Sequence, residues 1–129
     1  MMVDVFNLGD TYNIMVPSVL KAAVIKTFGY LIQHEQGKSI FTEPNFVCKT
    51  ILGICISPQI LADTNINVYI RNSWTLSFIC NLYPIESIIK SSQDALPTVI
   101  ATCTKYAELQ ASNKEKVAAS SIRALGFIV

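Results

Sequence analysis

Four cysteines and one histidine are the residues of this chain that could act as nucleophile, general base or metal ligands. A Cys–His nucleophilic pair needs an exposed thiol beside the imidazole. Cys48, Cys55, Cys80 and Cys103 each lie in an apolar stretch instead, and no two of them have the CxxC spacing of a zinc site or a disulfide framework. We therefore expect four buried, reduced thiols, with no metal site and no cofactor.

The remaining polar residues form no second catalytic pattern. His34 lies in the polar stretch 33–38, which predicts a turn between helices. Gly37-Lys38 lacks the preceding strand and the upstream glycine of a phosphate-binding loop. The carboxylates are few and scattered, so no acid–base pair stands out. These residues predict a protein that is not an enzyme.

The composition indicates one apolar domain that binds neither nucleic acid nor membrane. The chain has 129 residues, 51% hydrophobic and 15% charged, with a net charge of +1, so electrostatic attraction to nucleic acid or anionic lipid is weak. Its longest apolar stretch, residues 50–62, is shorter than the roughly 20 residues of a membrane span. No basic flank precedes the first apolar residues, which argues against a secretory signal. We expect a cytoplasmic or nuclear protein whose apolar excess is covered by neighbouring parts of a longer chain.

Apolar residues recur every three or four positions along most of the chain, which predicts helices. Leu20 and Ile100 belong to the predicted apolar faces of the first and fourth helix, and Ser112 with Glu115 has the spacing of a capping box for the last. A short helix is predicted over 85–90. The longer predicted helices cover residues 17–31, 46–55, 67–82, 94–110 and 112 onward.

Three of these helices repeat one another. The tripeptide at 29–31 aligns with 77–79 and 126–128, at offsets of 48 and 49 residues. The helix before each also aligns, with Val47 over Leu96 and Ile51 over Ile100. A repeated two-helix unit cannot bury its apolar face alone, so repeats stack. Further matching columns are Phe28/Leu76/Leu125, Thr27/Thr75/Ala124 and Leu20/Val68/Val117.

Helices that end in TFGYL, TLSFI and ALGFI resemble the second, or B, helices of HEAT and armadillo repeats. The resemblance covers nearly the whole chain. It implies an all-α fold, a right-handed α-solenoid of about two and a half stacked antiparallel helix pairs. It also implies one segment, residues 1–129, flanked by further repeats of the same chain, with repeat units roughly at 1–34, 42–83 and 92–129. The function that follows is a non-enzymatic protein–protein interaction scaffold.

One stripe of side chains crosses the three aligned helices. Lys26, Trp74 and Arg123 share a column, and a buried column would not accept these three types together. Four residues on, a second column shares the same helix face: Tyr30, Phe78 and Phe127. We call these six residues the B-helix stripe, and B helices in such arrays tend to line the concave side where partners bind.

Two interpretations of the stripe stay open. Its aromatic side chains could pack against the next repeat, or they could bind a protein partner of acidic or apolar character. Arg71, one turn before Trp74, could belong to the partner-binding set, or it could pair with Asp63 in the turn of a neighbouring repeat.

A transport receptor of the importin-alpha type is the alternative function. Such proteins bind a linear cargo peptide with a Trp followed four residues later by an Asn. Here Trp74 is followed by Phe78, Lys26 by Tyr30, and the Asn ladder is absent. Lys26 would also repel a basic cargo, so the scaffold interpretation is favoured.

Overall fold

The structure, a computed structural model, describes residues 16–35, 47–83, 85–108 and 114–128. Every regular element within these ranges is helical, which confirms the predicted all-α class. A π-helical segment at Val47–Ile51 leads directly into α2. In chain order the α-helices are α1 (Ser18–Glu35), α2 (Leu52–Cys55), α3 (Pro58–Leu61), α4 (Ile66–Leu82), α5 (Ile85–Ser91), α6 (Ala95–Ala107) and α7 (Lys114–Ile128).

The helix ends follow the prolines and caps, with three corrections to the predicted bounds, one of which is α6, which ends at Ala107 and not at residue 110. α1 starts after Pro17 as predicted but runs on to Glu35, so His34 belongs to a helix and not to a turn. The Ser57-Pro58 pair ends one helix and also starts the short α3, with Pro58 in the first turn where its missing N–H costs nothing. Asn65 caps α4 by accepting a hydrogen bond from the N–H of Asn67 at 2.9 Å. The cap predicted at Ser112 lies outside the described residues.

Helix α4 lies at the centre of the packing. It contacts α1 on one side and α7 on the other, and these are the three helices that the repeat alignment matches. Helices α2 and α6 pack against α4, and α6 packs more extensively against α7. One continuous apolar cluster fills the space between them, with Ile25, Leu76 and Val99 among its fully buried members.

The buried face of α1 is offset from the predicted one. Leu20 is 40% exposed, whereas the neighbouring Lys21 is fully buried. Nζ of Lys21 lies 2.9 Å from Oδ2 of Asp63, in the turn before α4. The sequence left open a pairing of Asp63 with Arg71; in the structure Lys21 takes that position. Because both partners of this ion pair are buried, Lys21 can occupy the core position of α1 that the periodicity assigned to Leu20.

The carboxylate of Asp63 accepts three hydrogen bonds that favour its charged form. Burial alone would raise its pKa, but Ser18 Oγ donates at 2.7 Å and the Asn65 N–H at 2.8 Å, beside the Lys21 ammonium. The net result is a pKa below the ordinary value. Asp63 therefore stays ionised and fixes the start of α1 to the start of α4.

Helix α6 is also rotated relative to its predicted apolar face. Ile100, placed on that face by its periodicity, is 38% exposed, and Tyr106 is buried in its stead. The hydroxyl of Tyr106 accepts a hydrogen bond from Nδ2 of Asn72 at 3.0 Å, and the same nitrogen donates to the Cys55 carbonyl at 2.9 Å. The fully buried Asn72 thus ties α4 to both α2 and α6, a link that an apolar periodicity count does not include.

Candidate functional site

Trp74 lies in a contact cluster on the seam between α1 and α4. Its ring meets Tyr30 of α1 edge-on, with centroids 5.1 Å apart and an interplanar angle of 72°. It meets Phe78, one turn further along α4, at 4.9 Å and 80°. T-shaped pairs of this kind add to area burial because a ring edge meets a ring face. We call Tyr30, Trp74, Phe78 and Arg71 the aromatic cluster.

Arg71 completes the cluster from the other direction. Its Cζ lies 5.3 Å from the centroid of the Trp74 ring, which is a cation–π distance. In the described part of the chain, no carboxylate forms an ion pair with this guanidinium. The contact with the indole restricts the rotamers of Arg71. Its N–H groups are therefore held in place and form no ion pair with an acid of the described residues.

Gly29 makes the close approach of α1 and α4 possible. A Cβ at position 29 would lie 2.5 Å from Cζ3 of Trp74 and 2.9 Å from Oγ1 of Thr75. That threonine hydroxyl donates to the Ile25 carbonyl at 3.1 Å, one turn earlier on α1. The indole therefore rests directly on the α1 backbone, and part of its role is to pack the two helices together.

The outer side of the aromatic cluster is open. Trp74 and Phe78 are half-buried, and Tyr30 remains 47% exposed. Internal packing and solvent exposure are thus combined in the same residues. The two interpretations of Trp74 are not exclusive, because one edge of the ring is used internally and the cluster still reaches solvent.

A groove of about 310 Å³ runs beside the aromatic cluster, toward the N-terminal ends of α1 and α4. We call it the α1–α4 groove. Lys26 and Arg71 lie on its two sides, so the groove and the aromatic cluster share Arg71. The rest of its lining is polar at the start of each helix and apolar along α1: Ser18, Val19, Ala22, Ala23, Asn65 and Asn67.

The third helix of the stripe is separate from this cluster. Arg123 and Phe127 of α7 are exposed, and no ring stacking or ion pair joins them to α4 within the described residues. The structure therefore brings together Lys26, Tyr30, Arg71, Trp74 and Phe78 on two helices. Arg123 lies apart from them on the third.

The four thiols are all buried and free, as their apolar surroundings predict. Burial raises the pKa of Cys48 and Cys103 to about 11. Burial, together with the proximity of other cysteines, raises the pKa of Cys55 and Cys80 to about 12. A thiol that stays protonated at neutral pH is a poor nucleophile and a poor metal ligand. Across the described ranges, no three His, Cys, Asp or Glu side chains come close enough to hold a metal ion.

Two buried polar pairs were not predicted from the sequence. Lys21 with Asp63, and Asn72 with Tyr106, are separated by 42 and 34 residues, so no short motif connects them. The available signal was indirect: a lysine that interrupts an apolar face, and an asparagine in the middle of an apolar helix.

Of the helices that the structure describes, none has the length and apolarity to span a membrane.

In comparisons with known proteins, the chain matched no family model, no curated protein and no solved structure. Its interpretation therefore depends on its own residues and their geometry.

Proposed function

We propose that this chain is a segment of a right-handed HEAT/armadillo-type α-solenoid, with about two and a half helix pairs. The support is the order of packing. The helices that share the repeat offset, α1, α4 and α7, lie side by side with α4 in the middle. Exposed apolar side chains such as Ile122 and Ile89, at 60% and 51%, suit the stacking of further repeats of the same chain.

We propose further that the segment is a non-enzymatic scaffold that binds another protein, in the cytoplasm or the nucleus. The observation that carries this proposal is the aromatic cluster. Tryptophan, tyrosine and arginine are the residues that dominate interface energies, and here they are held in fixed mutual contact while still reaching solvent. Rigid side chains lose little entropy when a partner binds.

An importin-like receptor for a linear cargo peptide is the second candidate, and the cluster favours it less. In that binding mode a tryptophan ring packs against the lysine stem of the cargo. The Trp74 ring already carries Arg71 at 5.3 Å, and Lys26 lines the adjoining groove. A basic cargo would therefore approach two positive charges.

Affinity capture with matched charge variants tests the scaffold proposal. The tagged chain, extended by neighbouring repeats where they exist, would be compared with Lys26→Glu/Arg123→Glu. Both residues are exposed, so the fold is expected to tolerate the change. The control is Lys49→Glu/Lys105→Glu, which changes two exposed lysines outside the stripe by the same charge.

The scaffold proposal predicts that specific proteins disappear from the Lys26→Glu/Arg123→Glu capture and remain in the control. Equal helicity and equal monodispersity of the three proteins, from circular dichroism and sedimentation, are prerequisites. An identical set of captured proteins for all three would contradict a binding role of the stripe. Retention of basic nuclear-localisation peptides by the unmodified chain would favour the importin-like alternative.

A further inference from the structure

The α1–α4 groove has a charge pattern that selects one class of ligand. Lys26 and Arg71 line it, and none of its lining residues is acidic. No described carboxylate forms an ion pair with either cation. The nearest acid in sequence is Asp63, two residues before the lining residue Asn65, and its Oδ2 is already bound by Lys21 and Ser18.

We infer that the α1–α4 groove binds a short acidic peptide segment of a partner protein, an inference that rests on the scaffold function proposed above. The two cations supply the recognition of carboxylate groups. Arg71 presents a planar guanidinium that matches a carboxylate with two parallel hydrogen bonds. Because the ring of Trp74 already orders this side chain, little further rotamer entropy is lost on binding.

The helix ends at the groove act in the same direction as the cations. Ser18, Asn65 and Asn67 lie at the starts of α1 and α4, so both helices direct their N-terminal ends toward this region. The macrodipole of each helix adds positive potential there. It supplements the lysine and the arginine and would not by itself define a site.

The apolar part of the groove specifies the rest of the ligand. Val19 is 83% exposed, and Ala22 and Ala23 extend the same apolar strip along α1. An aliphatic side chain of the ligand would cover this strip while its neighbouring carboxylates bind Lys26 and Arg71. The expected ligand is therefore an extended segment that alternates Asp or Glu with an aliphatic or aromatic residue.

Selection from a random dodecapeptide display library, with the full chain as bait, tests this inference. The selected peptides are expected to be acidic, with at least one apolar residue between acids. Their affinity is then measured by fluorescence anisotropy of the labelled peptide. Trp74 is the only tryptophan of the chain, so its emission reports independently whether the peptide binds beside it.

Lys26→Glu/Arg71→Glu should weaken binding by on the order of a hundredfold, roughly tenfold for each cation that no longer pairs with a ligand carboxylate. Lys49→Glu/Lys105→Glu, with the same change of net charge, should leave the affinity within roughly twofold of the original. Added salt should weaken binding to the unmodified chain, because exposed charge pairs are screened. Thermal unfolding of each variant separates loss of the site from loss of the fold.

Three results would overturn the inference. The first is a set of selected peptides without acidic enrichment, and the second is equal peptide affinity for the unmodified chain and for Lys26→Glu/Arg71→Glu. The third is self-association of the chain that Lys26→Glu/Arg71→Glu abolishes, which would make a second copy of the chain the occupant of the groove. Any of them could occur while Lys26→Glu/Arg123→Glu still loses its captured proteins. In that case the scaffold function stands and only the peptide site fails.

Discussion

Replacing Asp63 with asparagine removes the carboxylate that faces Nζ of Lys21 at 2.9 Å. The side chain of Lys21 is 0% exposed and that of Asp63 is 7% exposed, so water screens the pair little. Removing one partner of a buried pair typically costs about 3–5 kcal/mol. Asparagine keeps one side-chain oxygen, which can still accept from the Asn65 N–H at the Oδ1 position, while its NH2 group takes the Oδ2 position and can donate to the Ser18 hydroxyl. The expected loss is therefore near the lower limit, about 3 kcal/mol.

The reciprocal change is expected to cost less. In Lys21→Met, the carboxylate of Asp63 keeps the hydrogen bonds from Ser18 and Asn65, so we expect a loss of about 2 kcal/mol. The double variant Lys21→Met/Asp63→Asn should cost about 3 kcal/mol, well below the sum for independent sites. Urea unfolding followed by circular dichroism measures all three. Asp94→Asn, an exposed acid, is the matched control and should change stability by less than about 1 kcal/mol.

The pH dependence gives a second readout of the same pair. The folded-state pKa of Asp63 lies below its ordinary value of 3.8, so its contribution is complete above the unfolded pKa and is lost as the pH falls through the folded pKa. The stability difference between the original chain and Asp63→Asn should stay constant from about pH 5 to 8 and shrink below about pH 4. Additive losses in the double variant, or a difference that does not shrink in acid, would refute the reasoning.

Three further predictions concern the packing. Gly29→Ala should lower stability by about 1 kcal/mol and shift Trp74 emission, since the new methyl group displaces the indole. The control Gly126→Ala, with open space around it, should stabilise the chain by about 0.5–1 kcal/mol. A stabilising Gly29→Ala would contradict the close approach of α1 and α4. In urea unfolding, Tyr106→Phe should lower stability by about 1 kcal/mol and Asn72→Ala by about 2 kcal/mol. Only the second change removes the donor to both the Cys55 carbonyl and the Tyr106 hydroxyl. Equal losses would show that the Cys55 carbonyl does not depend on Asn72. The four thiols should react with iodoacetamide at about pH 8 only as the chain unfolds, since their pKa values of about 11 to 12 keep them protonated. Mass spectrometry measures the labelling. Fast labelling of the folded chain would contradict the burial of these cysteines.

The sequence predicted the helices well, because their positions depend on local patterns. The α4 bounds differ by one residue at one end, and the short helix predicted over 85–90 is α5, Ile85–Ser91. The burial of Lys21 was not predictable from periodicity, since it depends on an acid 42 residues away. The choice between Leu20 and Lys21 for the core is decided by that tertiary partner and not by hydrophobicity.

The candidate site was predicted by residue type and not by arrangement. Column alignment identified Lys26 and Trp74 as surface positions, and both are at least partly exposed. It could not show that Arg71 stacks on Trp74 and leaves Asp63 to another cation, because two side chains compete for one carboxylate only in three dimensions. The α1–α4 groove likewise depends on the distance between two helices, which a single sequence does not contain.

The interactions between α1 and α4 recur at every turn and differ in kind. Lys21, Ile25 and Gly29 are four residues apart, and they meet an ionic partner, a hydroxyl donor and an indole ring in succession. Between α4 and α7, no side-chain hydrogen bond is found in the described residues, and the buried hydroxyl of Ser121 has no partner there. The register of α1 against α4 is thus fixed by directional side-chain contacts, whereas the register of α7 against α4 depends on apolar packing alone. A substitution that disturbs packing is therefore expected to shift α7 along α4 more readily than it shifts α1.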